Sequence, residues 1–419
     1  MTDKWARIHW NLFAIIGASF FLDGVLFTLV PATIYLVEEL AAEAPLIFAA
    51  NSLFFMLGAL ALGRVGDTVG RRLGLIISLL IYTASAAAFA ALYWAGALTL
   101  PAALATTSVI NFGVGGEVGP AYSALAELIP PRRRGAALML AANFWNVGAA
   151  LLAAASLYYA ELTGDPKTAV LYTFYTAIAL ALLVLAARLH VPESLRWLAA
   201  RGRLAEAEAL ARRYGVSLPP PQPPRSSLRG YWGRVALLAA AFTAQLITYN
   251  IAAYYLPYAP GFAYGAEFAP VNAAVANFGA AAGAFMLLPL IDKSRKLSFT
   301  AAFAGGLATA VALGAAHGSP AWIYAAALFF NLVFSEWAWA SISVLESELF
   351  PTAVRSTAVG LVTAGAWLAN TGAVFLEGAL GVYPFLALLA VLWAAGLASA
   401  LWWQFRGVES AGRELEELA

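Results

Sequence analysis

Long apolar stretches, each followed by a short polar segment, run along the whole chain. A helix needs about 20 mostly apolar residues to cross a lipid bilayer, and twelve stretches are long enough. They lie near residues 9–37, 45–63, 73–95, 98–127, 136–159 and 168–189, and near residues 233–257, 268–291, 298–316, 320–349, 354–377 and 383–405. The pattern predicts an all-α integral membrane protein with twelve transmembrane helices, six on each side of a central polar segment.

The central segment divides the chain into four parts. We expect a six-helix N-terminal bundle in residues 1–190, a linker with short amphipathic helices in residues 191–232, a six-helix C-terminal bundle in residues 233–406, and a cytoplasmic tail in residues 407–419. Residues 219–224 are five prolines and one glutamine. Because proline lacks an N–H group and fixes its own φ angle, this stretch predicts an extended, semi-rigid connection.

Composition and charge support the membrane assignment. Hydrophobic residues make up 62% of the chain and charged residues 11%, whereas soluble domains average about 45–50% apolar and about 25% charged. With the N-terminus inside, only Lys167 among the 24 lysines and arginines falls outside, as the positive-inside rule requires. We therefore expect a multi-pass protein of the cell membrane, surrounded by lipid, with both termini cytoplasmic and no nucleic-acid partner. The absence of cysteine excludes disulfides and thiolate metal sites.

A dense cluster of charge and glycine separates the second apolar stretch from the third. Residues 63–74 hold four glycines and three arginines around Asp67. Glycine weakens helices and favours tight turns. We therefore predict a cytoplasmic hairpin loop in which Asp67 and Arg71 serve a purpose.

The two halves of the chain repeat one another. A glutamate followed by a proline, with an arginine seven residues after the glutamate, occurs at Glu127–Arg134 and again at Glu348–Arg355. Asp67, after the second span, has a counterpart in Asp292, after the eighth. An internal duplication of about half the chain explains both correspondences.

These motifs resemble those of the major facilitator superfamily of secondary transporters, whose members pair two six-helix halves. Residues 63–74 match the loop signature of the superfamily, and residues 192–198 and 348–355 resemble signatures of its sugar-porter branch and of related metabolite carriers. The resemblance implies two pseudo-symmetric bundles around a central cavity, alternating access to a small solute, function as a monomer, and no cofactor. It also implies a charge network that ties the bundles together at the cytoplasmic side. The members of this network are Asp67, Arg71, Glu127, Arg134, Glu193, Arg196, Asp292, Glu348 and Arg355.

Polar and aromatic residues in the fifth, seventh and eleventh spans are the candidates for solute binding. Gln245, Asn250 and Tyr254 fit the spacing of a seventh-span pattern of sugar porters, and Trp367 with Asn370 fits an eleventh-span pattern. Amides offer donors and acceptors, and aromatic faces stack on sugar rings. The full set is Gln245, Asn250, Tyr249, Tyr254, Trp367, Asn370, Asn143, Trp145 and Asn146. The resemblance favours a sugar, and the alternative is an organic cation, a metabolite or a drug.

Three acidic residues inside the predicted spans are candidates for carrying a coupled proton: Asp23, Glu117 and Glu336. An ionised acid at the bilayer centre costs about 2.5–3.5 kcal/mol, so such residues are functional candidates by default. Asp23 matches the first-span aspartate of related proton symporters, but Thr107 stands near the position of the fourth-span arginine that accompanies it there. No lysine or arginine is expected in mid-span, which favours a neutral or cationic solute. The three histidines form no cluster with these acids, so we expect neither an enzyme nor a metal site.

Overall fold

Twelve long helices make up most of the computed structural model, which describes residues 5–218, 227–265, 268–376 and 379–418. The first six, α1–α6, are Arg7–Thr33, Ala44–Val69, Arg71–Trp94, Leu100–Leu128, Arg134–Thr163 and Pro166–Arg188. The second six, α7–α12, are Trp232–Asn250, Ala269–Ile291, Arg295–Ala316, Ala321–Glu348, Arg355–Ala373 and Val382–Arg406. Among the described residues, eleven of these helices are apolar and long enough to cross a membrane. The twelfth, α4, has 29 residues and is rich in glycine and polar side chains.

Each predicted span coincides with one of these helices, but the predicted loop at residues 63–74 is wrong. Helix α2 continues to Val69 and α3 begins at Arg71, so the turn consists of Gly70 alone, with a φ angle of 115°. The neighbouring glycines lie inside helices because other helices pack directly on them. The linker contains the short helices Leu195–Ala200 and Leu204–Tyr214. The proline-rich connection predicted at residues 219–224 lies outside the described residues.

Small residues bring neighbouring helices into backbone contact. A methyl group on Gly24 of α1 would overlap the carbonyl oxygen of Trp145 in α5, and one on Gly148 would overlap that of Phe21. The same reciprocal arrangement joins α2 to α4, and similar glycines of α8 lie against α10. Close approach through small residues is how helices associate in lipid, where burial of apolar surface gives no net drive.

The helices form two bundles that meet along their sides. Apolar side chains of α1–α6 form one core and those of α7–α12 form another, and the first core also takes in residues of α8, α10 and α11 where the bundles touch. The main contacts between bundles are those of α11 with α2 and with α4, followed by those of α5 with α8. A methyl group on Gly63 would press against the carbonyl oxygen of Ser356, and one on Gly360 against that of Ala59. The bundles therefore approach at backbone distance along α2 and α11.

Candidate functional site

A network of buried charges joins the bundles at the end where α2 meets α3 and α8 meets α9, called here the charged end. Arg71 donates to Asp67 at 2.9 Å and to Glu127 at 2.7 Å, all within the first bundle. Arg355 of the second bundle donates to Glu127 at 2.8 Å. Asp67 accepts hydrogen bonds from the amide and the hydroxyl of Thr357, at 2.7 and 2.6 Å. A first-bundle carboxylate therefore caps the N-terminus of α11, where the helix dipole favours negative charge.

The second half repeats this arrangement with the roles exchanged. Arg295 donates to Asp292 at 3.0 Å and to Glu348 at 3.1 Å within the second bundle. Arg134 of the first bundle faces Glu348 at 3.5 Å, and Asp292 accepts the amide of Gly135, at the start of α5, at 3.0 Å. The charged residues predicted from the duplication are thus brought together. Arg295, which was not among the predicted network residues, is the counterpart of Arg71.

Two further glutamates cap the helices that begin at the charged end. Glu193 accepts the amide of Arg71 at 3.0 Å, and Glu409 accepts the amide of Arg295 at 2.9 Å and the hydroxyl of Ser294 at 2.5 Å. Burial raises the pKa of the Glu193 carboxyl above its ordinary value. Burial acts on Glu409 in the same direction, but its hydrogen bonds from the Ser294 hydroxyl and from backbone amides hold its pKa below the ordinary value. Glu409 lies in the predicted tail, and sequence reasoning missed its role.

The C-terminal segment packs onto the linker. Arg196, predicted as a network residue, donates to Glu414 at 2.7 Å and to Glu416 at 2.8 Å. Leu415 and Leu418 are buried. The segment after α12 is therefore held against the charged end by charge and by apolar contact, and it links the second bundle to the linker helices.

A second cluster of charge lies inside the first bundle. Glu117 of α4 forms an ion pair with Arg188 of α6 and accepts a hydrogen bond from the hydroxyl of Tyr82 at 3.3 Å. Arg188 also donates to the hydroxyl of Ser19 at 3.1 Å. Asp23 is fully buried beside this pair and interacts electrostatically with both charges. Neither of its carboxyl oxygens has a hydrogen-bond partner among the described residues.

No lysine or arginine was expected in mid-span. Arg188 stands at the end of its span, yet its side chain is fully buried inside the first bundle. This residue ends α6, and the positive-inside rule assigned it to the cytoplasmic basic residues. Helical side chains point back toward the N-terminus of their own helix, so the Arg188 side chain reaches into the bundle. There it places a guanidinium group beside the Glu117 and Asp23 carboxyls. A basic residue at the last position of a span was the signal that could have revealed it.

Polar and aromatic residues of α5 and α10 face one another between the bundles. Asn146 donates to Asn143 at 2.9 Å and lies within hydrogen-bonding reach of the Glu336 carboxyl. The rings of Trp145 and Trp339 meet edge to face, with centroids 6.1 Å apart. Four of these residues were predicted as site residues, and Trp339 is an addition. They place one carboxyl group among amides and indole rings.

Helices α1, α2, α7 and α11 complete this central region. Trp367 stacks on Phe55 with ring centroids 4.0 Å apart, and Phe27 lies 5.5 Å from Trp367. The amide of Gln245 donates to the hydroxyl of Ser335 at 3.0 Å, while its buried carbonyl oxygen has no partner among the described residues. Trp367 therefore lies where the bundles meet, and Gln245 joins α7 to α10 within the second bundle.

The remaining predicted residues lie nearer the end opposite the charged end. Asn250 donates to Asn370 at 2.7 Å, and Asn370 donates to Ser52 of α2 at 3.1 Å, so this chain of hydrogen bonds crosses between bundles. Asn250 is the last residue of α7, and the π-helical turn Ile251–Tyr255 follows it. Irregular turns of this kind often occur at functional sites.

Two tyrosines at the same end form a separate polar group. Tyr249 donates to Asn277 of α8 at 2.7 Å, and Asn277 donates to the hydroxyl of Tyr254 at 3.3 Å. The side chain of Tyr254 is exposed. Both predicted tyrosines thus lie together at this end of the second bundle, and Asn277 is an addition to the predicted set.

Comparison with known proteins now assigns the family. The model of the "Sugar (and other) transporter" family matches residues 10–419. The chain belongs to this transporter family. The transporter is 26% identical over 419 residues to the inner membrane metabolite transport protein YgcS of Escherichia coli K12, covering 95% of this chain and 91% of that protein. It is 29% identical over 210 residues to the niacin transporter NiaP of Acinetobacter baylyi, covering 49% of this chain and 45% of that protein.

Solved structures share the fold of the transporter. The proton:xylose symporter XylE, bound to 6-bromo-6-deoxy-D-glucose, superposes with a TM-score of 0.83 at 20% identity, covering 98% of each chain. The outward conformation of FucP, another member of the major facilitator superfamily, gives a TM-score of 0.71 at 17% identity, covering 94% of this chain and 99% of that one. The prediction of a major facilitator fold, of a multi-pass membrane transporter and of a protein without enzymatic activity is confirmed.

Proposed function

We propose that the transporter couples the movement of a small polar organic solute to the movement of a proton by alternating access, and that the solute is a sugar. The observation that carries the coupling is Asp23, a buried carboxyl group with no hydrogen-bond partner among the described residues, beside the Glu117–Arg188 ion pair. An ionised Asp23 competes with Glu117 for one guanidinium, and a protonated Asp23 does not. Loading and releasing one proton therefore changes the charge balance inside the first bundle.

The charged end gives the proposed conformational switch. We place it and both chain termini in the cytoplasm, with residues 1–190 and 233–406 as the moving bundles and residues 191–232 as their connection. Opening toward the cytoplasm breaks the contacts of Arg355 with Glu127 and of Asp67 with the start of α11. These contacts are charge-assisted and confined to one interface, which suits a state that must form and break in each cycle.

A sugar is the first candidate solute. The buried, unpartnered carbonyl oxygen of Gln245 and the amides of Asn143 and Asn146 offer the directional hydrogen bonds that hydroxyl groups need. The Trp367 ring, stacked on Phe55, offers an apolar face for a sugar ring. The proton:xylose symporter named above shares the fold, which supports this choice.

A flat or cationic metabolite is the second candidate. The Glu336 carboxyl lies within reach of Asn146, whose neighbour Trp145 contacts the Trp339 ring. Acids close to aromatic faces suit organic cations and nitrogen heterocycles. A relative that matches half of the chain is described as a niacin transporter. The aromatic rings of the central region favour this second candidate. The free amide groups of the region favour it less.

A binding screen followed by uptake measurement tests the proposal. Purified transporter is heated with D-xylose, D-glucose, nicotinate or choline, and the solute that raises the melting temperature is then followed into proteoliposomes with and without an inward pH gradient. We expect stabilisation by a sugar and accumulation only with the gradient. Stabilisation by nicotinate or choline alone overturns the sugar assignment in favour of the second candidate, and uptake that ignores the gradient overturns the coupling.

A further inference from the structure

Glu346 is a buried acid that the proposed cycle does not yet use. It lies in the last turn of α10, two residues before Glu348, and is fully buried. Glu348 bonds to Arg295 and to the hydroxyl of Ser410, at 3.1 and 2.7 Å. Both carboxyl oxygens of Glu346, in contrast, have no hydrogen-bond partner among the described residues. An ionised carboxylate without donor or counter-charge is very costly to bury, so this site accommodates the neutral acid.

The face of α10 that carries Glu346 points at α4 of the other bundle. Tyr122 of α4 lies beside Ser343 and Trp339, and within electrostatic range of both Glu346 and Glu336. Positions 336, 339, 343 and 346 share one side of a helix, and ten residues span about 15 Å along its axis. The hydroxyls of Tyr122 and Ser343 are both buried. A line of polar groups therefore runs between the bundles from the central region to the charged end.

The charges of the surrounding helices are engaged elsewhere. Each helix packed on α10 contributes a charged residue at the charged end: Glu127 of α4, Arg134 of α5, Arg234 of α7, Asp292 after α8, Arg295 of α9 and Arg355 of α11. Each of them bonds to another charge of the network or to a backbone group, and Arg234 donates to the carbonyl oxygens of Leu349 and Leu418. Within the described residues, none of these bonds goes to Glu346.

We infer that Glu346 is a second proton-binding site, which holds a proton while the charged end is closed and releases it when α10 separates from α4. The inference rests on the proposed alternating access, because only a movement between bundles exposes the carboxyl to water. The step is a simple ionisation in which the O–H bond of the acid breaks, the electron pair stays on the carboxylate, and water takes the proton. Opening of the charged end then becomes favoured as the pH of the adjoining solution rises.

The size of the effect follows from linkage. A conformational change that releases one proton shifts its equilibrium by up to about tenfold per pH unit in the range where the group titrates. Glu346→Gln is neutral in both states and has nearly the same shape, so this contribution disappears. Glu346→Leu removes the polar group altogether. The same result is expected for it, and this variant has no amide group that must be accommodated by the packing.

The absence of cysteine from the chain makes a distance measurement direct. Spin labels at Arg133→Cys and Lys293→Cys, two exposed positions on opposite bundles at the charged end, report the separation of the bundles by pulsed electron resonance between pH 5 and pH 9. In the labelled parent, we expect the fraction of molecules with widely separated labels to grow as the pH rises. In Glu346→Gln and Glu346→Leu, we expect this fraction to change less, by a factor of up to ten per pH unit. Glu208→Gln, at an exposed position of the linker, is the matched control and is expected to follow the parent.

The result separates this inference from the proposed function. A parent whose distances ignore pH, or a Glu346→Gln variant that keeps the pH response of the parent, overturns the second site. Loss of proton-driven uptake is measured independently in proteoliposomes. If uptake proves independent of a pH gradient while the distance response still depends on Glu346, the coupling proposal fails and the second proton site stands.

Discussion

Replacing Arg188 by glutamine tests the charge cluster in the first bundle most directly. The change leaves the Glu117 carboxylate fully buried, with only the Tyr82 and Ser78 hydroxyls at 3.3 and 3.4 Å. Removing one partner of a buried ion pair costs about 3–5 kcal/mol, because the other charge stays behind without compensation. If one bundle of some 190 residues melts as a unit, each kcal/mol of lost stability lowers the melting temperature by about 2–4 °C. The expected fall in melting temperature for Arg188→Gln is therefore about 6–20 °C.

Thermal unfolding in detergent at pH 8, followed by intrinsic tryptophan fluorescence, measures the difference in melting temperature between Arg188→Gln and the unmodified transporter.

Two further variants make the test specific. Arg188→Gln combined with Glu117→Gln has no buried charge left at the pair and should recover most of the lost stability, since neutral replacements of buried pairs are often well tolerated. Arg212→Gln, in an exposed pair with Glu208 at 3.6 Å, should change stability by less than about 0.5 kcal/mol. Two results contradict the buried charge pair described here. One is a melting temperature of Arg188→Gln within about 2 °C of that of the parent at pH 8, which corresponds to at most about 1 kcal/mol. The other is a double variant that is no more stable than the single variant.

Three other outcomes are expected. Asp23→Asn should abolish accumulation driven by a pH gradient and leave counterflow exchange intact, because the amide cannot release a proton; retained accumulation removes Asp23 from the coupling role. Trp367→Ala should raise the KM for the transported solute about tenfold, the equivalent of about 1.4 kcal/mol. Trp367→Phe keeps a stacking face and should keep most of the affinity. If both substitutions raise the KM equally, the result argues against stacking. Glu127→Gln should shift the spin-label distances at the charged end toward the open state more than Glu348→Gln, and the reverse order contradicts the asymmetry argued below.

The spans and the duplication could be predicted because they are local in sequence. A bilayer-length apolar run specifies a helix by itself, and helix α12, expected near 383–405, is Val382–Arg406. The spacing from Glu127 to Arg134, repeated from Glu348 to Arg355, is likewise a local pattern, and it points to the charge network without any knowledge of packing. The match to the family model over residues 10–419 agrees with the membership in a transporter family that these motifs predict.

What could not be predicted depends on packing between distant segments. Glycine weakens an isolated helix, which predicts a longer loop around Gly70. Helix α11 packs against Gly63 and overrides that preference. Arg188 and Glu117 are 71 positions apart, and only the direction of the Arg188 side chain unites them. Glu346 was hidden by its neighbour Glu348, since two acids close in sequence gave no sign that one would be paired and the other isolated.

The duplicated network is not equally tight in its two halves, and the difference bears on how the charged end opens. Asp67 accepts the Thr357 amide at 2.7 Å, whereas its counterpart Asp292 accepts the Gly135 amide at 3.0 Å. The cross-bundle ion pairs differ in the same sense, 2.8 Å at Glu127 and 3.5 Å at Glu348. Charge-assisted hydrogen bonds weaken with length, so the half that contains Glu348 separates at lower cost. Under the proposed alternating access, we therefore expect opening to start there, next to Glu346, and to be completed when the contacts of the half that contains Glu127 break.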